Sequence, residues 1–300
     1  MSIRRSPALR PLKGVRILSL ALNLPGPAAL MRCRAMGATC VKIEPPAGDP
    51  MGAYRQGAYG QLHEGVKVLS ADLKTEAGQK LLHRELAKTD VLLTSFRPSA
   101  LDKLQLGWKK LHKLYPGLSQ VAIVGAPGER AEEPGHDLTY LADNGLVTGL
   151  DLPPTLYADM GGSLMASEAV LQAVLKQRER YAGTGEPHPC GVFIEVALAD
   201  AAGYLALPRS WGLTLPGGTV GGAHAGYKVY PCKNGRVAVA ALEPHFAAAL
   251  CAAAGVPVTD RTVMMTPATH QAIARFLAGQ TRKQLDKLAV DRDIPLHTLP

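Results

Sequence analysis

The sequence predicts an α/β fold with a large parallel-sheet domain and a smaller α+β domain. Through about the first 200 residues, short apolar runs rich in branched residues alternate with helical stretches, which is typical of βαβ units covered by helices on both faces. After Tyr204 a glycine-rich stretch leads into a predicted hairpin and short helices. We therefore predict a large Rossmann-like domain over 1–200, a linker over 201–222 and a small domain over 223–300.

The first βαβ unit is complete by residue 44. The run VRILSLA over 15–21 predicts a strand, a Pro-Gly-Pro turn breaks it, and AALMRCRAM predicts a helix that Gly37 ends. The run TCVKIE over 39–44 predicts the second strand. The alternation continues with strands over 66–70, 90–95 and 119–125, and with helices over 75–89 and in a pair ending near Leu114.

The remaining elements are predicted from longer segments. An apolar helix is predicted from about Met160 to Arg178, followed by the loop YAGTGEPHP and the strand VFIEVAL. In the small domain, the pair Asn234-Gly235 is a hairpin signal between two short strands. Helices over 243–254, 267–278 and 281–290 are predicted to follow.

Composition limits the ligand class and the compartment. The 33 Lys and Arg against 25 Asp and Glu give a net charge of +8, which favours anionic ligands. Only 5% of the residues are aromatic and the basic residues are scattered, so nucleic acid is not indicated. Five cysteines without a CxxC pair, and no long apolar run, predict a cytoplasmic protein without disulfides, a metal site or a membrane span.

Three segments hold ionisable groups beside Gly or Pro: PGHDLTYLADNGL over 134–146, LYADMGGSLMASEAVL over 156–171 and VAALEPHF over 239–246. Taken alone, His136 and Asp159 are most simply helix caps, and Glu243 belongs to a first helical turn. The usual dinucleotide, P-loop, zinc-protease and hydrolase motifs are absent from the sequence.

The functional alternative for the second segment involves the helix dipole. Asp159 would lie beside free backbone N–H groups near Gly161 and Gly162, at the positive end of the predicted helix. Such N–H groups can stabilise a developing oxyanion.

In their order along the chain, these segments resemble the family III CoA-transferase superfamily (CaiB/BaiF type), which includes the α-methylacyl-CoA racemases. The resemblance runs from about Pro11 to the end of the sequence. It is carried by ordered blocks, among them PLKGVRILSLALNLPGP, MGATCVKIEPPAGDP, ADLKTEAGQKLL, DVLLTSFRPSALDKLQLGW, PGHDLTYLADNGL, YADMGGS, GVFIEVALADAA and GGAHAGYKVYPCKNGRVAVAALEPHF.

The resemblance implies roles for the ionisable residues. Transferases of the superfamily have an aspartate at the position of Asp159, which they use as a nucleophile, and usually a Tyr or Phe where His136 stands. The racemases have the Gly-His-Asp and Leu-Glu-Pro patterns that this sequence has. The resemblance therefore implies that His136 and Asp159 exchange the α-proton of an acyl-CoA while Glu243 orients the histidine, and that N–H groups near the two glycines accept the enolate oxygen.

The resemblance also implies coenzyme A, as part of a thioester substrate, bound by loops that follow the first strands. Arg97, beside a proline-constrained turn, suits a phosphate, whereas a solvated surface charge is the alternative for each lysine. The expected partners are the acyl-CoA and a second copy of the chain, in a homodimer that is interlocked in relatives, without nucleic acid or membrane. The candidate contacts are Lys42, Asp72, Leu73, Lys74, Phe96 and Arg97.

Three functions follow from these patterns. The first is a racemase or epimerase that inverts the α-carbon of a 2-methylacyl-CoA by two-base proton transfer. The second is a CoA-transferase that works through an Asp159 anhydride and thioester. The third is a non-catalytic CoA-binding subunit, indicated by Ser19, Ser95 and Ser99 in place of the usual residues and by a C-terminal return segment of relatives that is missing from this sequence.

Overall fold

The structure of the chain, a computed structural model, describes residues 9–181, 191–258, 260 and 262–300. It divides into two compact units with the boundary between Ala206 and Leu207. The expected boundary at residue 200 falls inside a helix, because the apolar segment LADAAGYL stays helical from Leu198 to Leu205. The expected linker over 201–222 is consequently shared between the two units.

The first unit contains a parallel sheet, as predicted. In the described ranges its six strands are arranged in the order β3-β2-β1-β4-β5-β6, and every neighbouring pair is parallel. The strand order reverses between β1 and β4, which is the switch point where doubly wound folds bind ligands. The strands are β1 (Arg16–Ser19), β2 (Thr39–Glu44), β3 (Lys67–Ser70), β4 (Val91–Thr94), β5 (Ser119–Val124) and β6 (Phe193–Ala197).

Helices cover both faces of this sheet. They are α1 (Pro25–Ala35), α2 (Pro50–Tyr54), α3 (Gln56–Leu62), α4 (Glu76–Leu86), α5 (Pro98–Lys103), α6 (Trp108–Leu114), α7 (Asp137–Asp143), α8 (Tyr157–Tyr181) and α9 (Leu198–Leu205).

Alternate side chains of the central strands enter two different cores. Ile17 and Leu93 belong to the cluster that contains residues of α1 and α8. Leu18 and Leu92, one position away on the same strands, belong to the cluster that contains residues of α4 and α6. Successive side chains of a strand point to opposite faces, so strands apolar on both faces need this double cover.

Two features of the first unit differ from the sequence prediction. No element is predicted between residues 45 and 65, where α2 and α3 form and Asp49 caps α2 by accepting the Met51 N–H at 2.9 Å. Helix α8 begins at Tyr157 rather than near Met160, because the Leu156 carbonyl already accepts the Met160 N–H at 3.0 Å. Most of the predicted loop YAGTGEPHP lies outside the described residues.

The second unit has the predicted α+β composition. Its strands β7 (Tyr227–Cys232), β8 (Gly235–Ala240) and β9 (Leu296–Leu299) form an antiparallel sheet in that order. The β7–β8 hairpin turns at Lys233 and Asn234, as the Asn-Gly signal predicts. Strand β9 is not among the predicted elements, since a four-residue strand carries little periodicity. The helices are α10 (Leu207–Ser210), α11 (Pro244–Ala253), α12 (Pro267–Ala278) and α13 (Arg282–Asp291).

Burial controls the chemistry of two cysteines. Cys33, Cys40, Cys232 and Cys251 are free thiols, and Cys190 lies outside the described residues. Burial is the main cause that raises the pKa of Cys33 and of Cys40 to about 12, so both thiols are protonated and unreactive near neutral pH.

Within the described ranges, no helix combines the length and the apolar character needed to cross a bilayer.

Candidate functional site

A cleft of about 750 Å³ opens at the carboxyl end of the parallel sheet. Its walls include residues 22–25 after β1, 95–97 after β4 and 123–125 at the end of β5. These strands surround the switch point, where the loops diverge and leave room for a ligand. His136 and Asp159 both line this cleft, so the fold brings the two main candidates together.

His136 is the residue at which α7 begins. Its backbone is extended, and its N–H donates to Oγ1 of Thr139 at 3.0 Å. The side chain is exposed and lines the cleft. The position is therefore a helix cap, as its sequence context suggests, and also places an imidazole at the wall of the cleft.

Asp159 lies in the first turn of α8 and is half-buried. Burial is the main cause that raises its pKa to about 6, the charge of Asp137 adds to the rise, and His136 opposes it. The backbone N–H of Asp159 donates to Oδ1 of the buried Asp137 at 3.0 Å. A carboxyl group with a pKa near the working pH can both take up and release a proton.

Tyr140 also lines the cleft, although the sequence motifs do not single it out. It follows His136 by four residues, one helical turn, and such residues share a helix face. Its hydroxyl lies close to Gly125 and Gly135, so that a Cβ at those positions would come within 2.2 Å and 2.6 Å of Oη. The signal in the sequence is a tyrosine one helical turn after His136.

Only some of the candidate contacts for coenzyme A lie at the cleft. Phe96 and Arg97 line the cleft, and Arg97 is exposed at the start of α5. The segment 72–74 forms the turn between β3 and α4, apart from the residues that line the cleft, and there Oδ1 of Asp72 accepts the Lys74 N–H at 2.9 Å. Leu73 packs partly against the core next to α4.

Lys42 lies at neither the surface nor the cleft. Its side chain is 0% exposed, and its Nζ pairs with Asp49, with Oε1 of Glu44 at 3.0 Å and with Nε2 of His63 at 2.8 Å. Burial and the lysine charge lower the pKa of His63, against a hydrogen bond to the Tyr59 carbonyl. In this arrangement the ammonium of Lys42 is already engaged by two carboxylates.

The same cluster contains the one set of metal-type ligands found among the described residues. Ligand atoms of Glu44, Asp49 and His63 lie within 4.8 Å of one another. The Nζ of Lys42 contacts all three, and a cation is therefore already supplied by the chain. The donor set fits an internal ion pair better than a metal site.

Gly161 and Gly162 do not lie at the free end of α8. Because the helix begins at Tyr157, they fall in its second turn, where N–H groups pair with carbonyls one turn earlier. This placement contradicts the expectation that they offer free N–H groups to an oxyanion. Their small size instead allows close packing on α9, since a Cβ at Gly162 would lie 2.3 Å from Cδ2 of Leu198.

Glu243 lies in the second unit, whereas His136 and Asp159 lie in the first. It is the exposed residue at which α11 begins, with Pro244 in the first turn. Its expected role in orienting His136 remains a prediction.

Comparison with known proteins identifies both a CoA-transferase and an α-methylacyl-CoA racemase as relatives. The succinyl-CoA–D-citramalate CoA-transferase of Chloroflexus aurantiacus is 36% identical over 64% of this chain and 51% of its own length. The α-methylacyl-CoA racemase of Homo sapiens is 30% identical over 78% of this chain and 62% of its own length. The chain thus spans between half and two thirds of these curated relatives.

The fold comparison agrees with the sequence comparison. The crystal structure of the hypothetical protein Rv3272 from Mycobacterium tuberculosis matches with a TM-score of 0.78 and 25% identity, over 96% of this chain and 85% of that one. A model of the family described as CoA-transferase family III matches residues 12–299. The resemblance noted in the ordered sequence blocks is therefore confirmed, and the chain belongs to CoA-transferase family III, a family of enzymes with CoA-transferases and acyl-CoA racemases among its members.

Proposed function

We propose that the chain is an acyl-CoA racemase or epimerase that inverts the α-carbon of a 2-methylacyl-CoA thioester. The observation that supports this proposal is that two different acid-base groups, His136 and Asp159, line one cleft at the switch point of the sheet. Inversion of a carbon next to a carbonyl needs a proton acceptor on one face and a proton donor on the other. One cleft with an imidazole and a carboxyl group meets that need.

The proposed step moves one proton at a time. The group on one face takes the α-proton, and the C–H electron pair forms a double bond to the carbonyl carbon while charge moves to the thioester oxygen. The group on the opposite face then donates its proton to the α-carbon and the carbonyl is restored. His136 and Asp159 exchange these roles with the hand of the substrate, and each transfer contributes about 10²–10⁴-fold.

The raised pKa of Asp159 supports this use. A carboxyl group with a pKa of about 6 is ionised at neutral pH and is a stronger base than an ordinary aspartate. It also donates its proton more readily than a group of very high pKa. Burial supplies most of the rise in the pKa of Asp159. An acyl group that fills the cleft and excludes water would raise this pKa further.

Binding of the CoA portion is assigned to the loops after β1, β3 and β4. Arg97 and Phe96 are placed at the cleft for a phosphate and for the adenine or pantetheine, with the turn 72–74 at the carboxyl end of β3 as a further contact. A contact from Lys42 requires it to leave its carboxylate partners. We assign Glu243 the orientation of His136.

The second candidate function is transfer of CoA between carboxylic acids. It is favoured by the relatives, since the proteins at 36% and 34% identity are both named CoA-transferases. Asp159 would then attack the thioester carbonyl, release the CoA thiolate and form an acyl anhydride. The histidine at position 136, where the resemblance gives transferases a Tyr or Phe, favours the racemase.

We further propose that the enzyme works as a cytoplasmic homodimer. The sequence resemblance to dimeric relatives and the cysteine pattern support this. Light scattering of the purified chain should give twice the mass of 31.7 kDa, and a monomer at all concentrations would contradict it.

Deuterium exchange tests the racemase. A single enantiomer of a 2-methylacyl-CoA in deuterated water should gain one α-deuterium and lose its optical purity, and Asp159→Asn and His136→Ala should each abolish the loss of optical purity. Asp143→Asn, an exposed position on α7, is the matched control and should exchange normally. If the wild type exchanges none of several acyl groups but passes acyl groups to hydroxylamine when a second acid is present, the transferase is correct.

A further inference from the structure

We propose that Tyr140 is a further catalytic residue, whose phenolic O–H donates a hydrogen bond to the carbonyl oxygen of the bound thioester. This inference rests on the proposed function in one respect, that the ligand of the cleft is an acyl-CoA. It does not depend on which of the two reactions follows, because both place negative charge on the same oxygen.

The Tyr140 hydroxyl is a hydrogen-bond donor at the cleft. Tyr140 is 7% exposed and lines the cleft that contains His136 and Asp159. Hydrogen bonds are found for the buried hydroxyl of Tyr230, which donates to the Ala225 carbonyl at 2.7 Å, but none is found for Tyr140 among the described residues. The hydroxyl oxygen is not among the fully buried side-chain polar atoms that lack a partner in the described residues, so it is open to solvent. Because Tyr140 lines the cleft, a ligand oxygen bound there would accept its hydrogen bond.

Two glycines border the space that the Tyr140 hydroxyl occupies. A Cβ at Gly125 would lie 2.2 Å from Oη of Tyr140, and a Cβ at Gly135 would lie 2.6 Å from it. Neither glycine has a positive φ, so the backbone at these positions does not require glycine. The two glycines therefore make room for the Tyr140 side chain, and they hold its oxygen between the end of β5 and the residue before His136.

The electrostatic surroundings of Tyr140 favour the protonated phenol. Burial and the charge of Asp159 raise the pKa of Tyr140, while Arg97 opposes the rise. The phenol therefore stays protonated near neutral pH, where a carboxyl group with a pKa of about 6 is ionised, and a protonated phenol is a donor. Tyr140, Asp159 and Arg97, the arginine assigned to the CoA portion, all line the same cleft.

The chemistry gives this donor a use. In proton abstraction the carbonyl oxygen becomes an enolate oxygen, and in transfer the attack of Asp159 makes it the oxygen of a tetrahedral intermediate. A donor fixed in place before the reaction stabilises that charge more than the neutral carbonyl, and loss of one such donor typically reduces kcat about 10²–10³-fold. Tyr140 thus takes the part that Gly161 and Gly162, inside α8, are not placed to take.

The conservative variant Tyr140→Phe tests the inference, since it keeps the ring on the two glycines and removes only the donor. With 2-methylpropanoyl-CoA in deuterated water, we expect kcat for exchange to fall about 10²–10³-fold and KM to change less than about threefold. Tyr204→Phe, at a side chain that is 71% exposed and outside the cleft, should keep both constants. An exchange rate in Tyr140→Phe within threefold of the wild type would overturn the inference.

A second readout does not require turnover. In the Asp159→Asn protein, bound 2-methylpropanoyl-CoA with ¹³C at its carbonyl should show an infrared carbonyl band at lower wavenumber than in Asp159→Asn/Tyr140→Phe. The same band in both proteins would overturn the inference, even where Tyr140→Phe is inactive. If the wild type neither exchanges nor transfers, the proposed function fails, and the shift of the band still decides the role of Tyr140.

Discussion

The backbone N–H of Asp159 donates a 3.0 Å hydrogen bond to Oδ1 of Asp137. This bond joins the first turn of α8 to the first turn of α7, the helix that begins at His136. The two carboxyl groups are consequently close, and the charge of the buried Asp137 adds to the effect of burial in raising the pKa of Asp159. The contact that positions the Asp159 carboxyl group therefore also adjusts its acidity.

Replacement of Asp137 by asparagine should lower the pKa of Asp159 from about 6. The amide oxygen of Asn can still accept the Asp159 N–H, so the geometry is kept and only the charge is removed. Burial remains, and the pKa should stay above its ordinary value of 3.8. Titration of the Asp159 carboxyl carbon by NMR measures the shift. An unchanged pKa would show that the Asp137 charge has no effect.

The acid limb of the pH dependence of exchange should move with that pKa. For the enantiomer whose α-proton Asp159 takes in the proposed mechanism, Asp159 must be ionised, so Asp137→Asn should extend exchange of that enantiomer to lower pH. Glu129→Gln, a change of the same type on an exposed residue outside the cleft, is the control and should leave the limb in place.

Asp159→Asn should stabilise the folded protein at neutral pH. Since the pKa of Asp159 is about 6 in the folded state and 3.8 is its ordinary value, the folded state binds more protons between these two values. The free energy of unfolding therefore falls as pH rises through this window, and the full loss persists above pH 6. Asparagine avoids that loss, which is about 1–3 kcal/mol.

Urea unfolding at two pH values measures this effect. The variant should be the more stable protein at pH 7, and the difference should vanish at a pH of about 3.5, below both pKa values. A difference that is the same at both pH values would mean that Asn changes packing rather than ionisation.

The sheet could be predicted from the sequence because each strand is a short run of branched residues between helical stretches. The first residue of α8 could not be predicted from the sequence, for a physical reason. An acidic residue is favourable anywhere in the first turn of a helix and at the residue before it, so the pattern of Asp159 followed by glycines does not distinguish a cap from the third helical position. The three-residue difference decides whether Gly161 and Gly162 have free N–H groups.

The candidate site could likewise be predicted only in part from the sequence. His136 and Asp159 could be found because they lie in ordered blocks of a known family. The burial of Lys42 could not, because it depends on Asp49 and His63 folding back from later segments. The place of the Tyr140 side chain at the cleft could not be predicted either, because it depends on Gly125, which is distant in sequence.

Lys42→Met should strongly destabilise the first unit. Removal of the ammonium leaves the carboxylates of Asp49 and Glu44 without their buried cation, and breaking one side of a buried pair costs about 3–5 kcal/mol. Lys80→Met is the matched control, because its pair with Glu76 is 76% and 83% exposed and such pairs contribute about 0–1 kcal/mol. Chemical unfolding compares the two, and equal losses would contradict the structural role of Lys42.

Gly125→Ala should destabilise the fold through the hydroxyl of Tyr140. The new Cβ would lie 2.2 Å from Oη and 3.1 Å from Cζ, and overpacking of this kind costs about 1–3 kcal/mol. In the Tyr140→Phe background the oxygen is absent and only the milder Cζ contact remains. The loss from Gly125→Ala should then be smaller by about 1 kcal/mol, which a double-mutant cycle resolves.

Gly135→Ala is the comparison variant for this double-mutant cycle. Its new Cβ would meet Oη at 2.6 Å, Cε1 at 2.7 Å and Cζ at 2.8 Å, so removal of the oxygen leaves two ring carbons that are too close. Tyr140→Phe should therefore relieve Gly135→Ala much less than Gly125→Ala. Because unfolding measurements need no substrate, the two couplings test the position of the hydroxyl separately from catalysis. Equal couplings at both glycines would mean that the Tyr140 oxygen does not lie over Gly125.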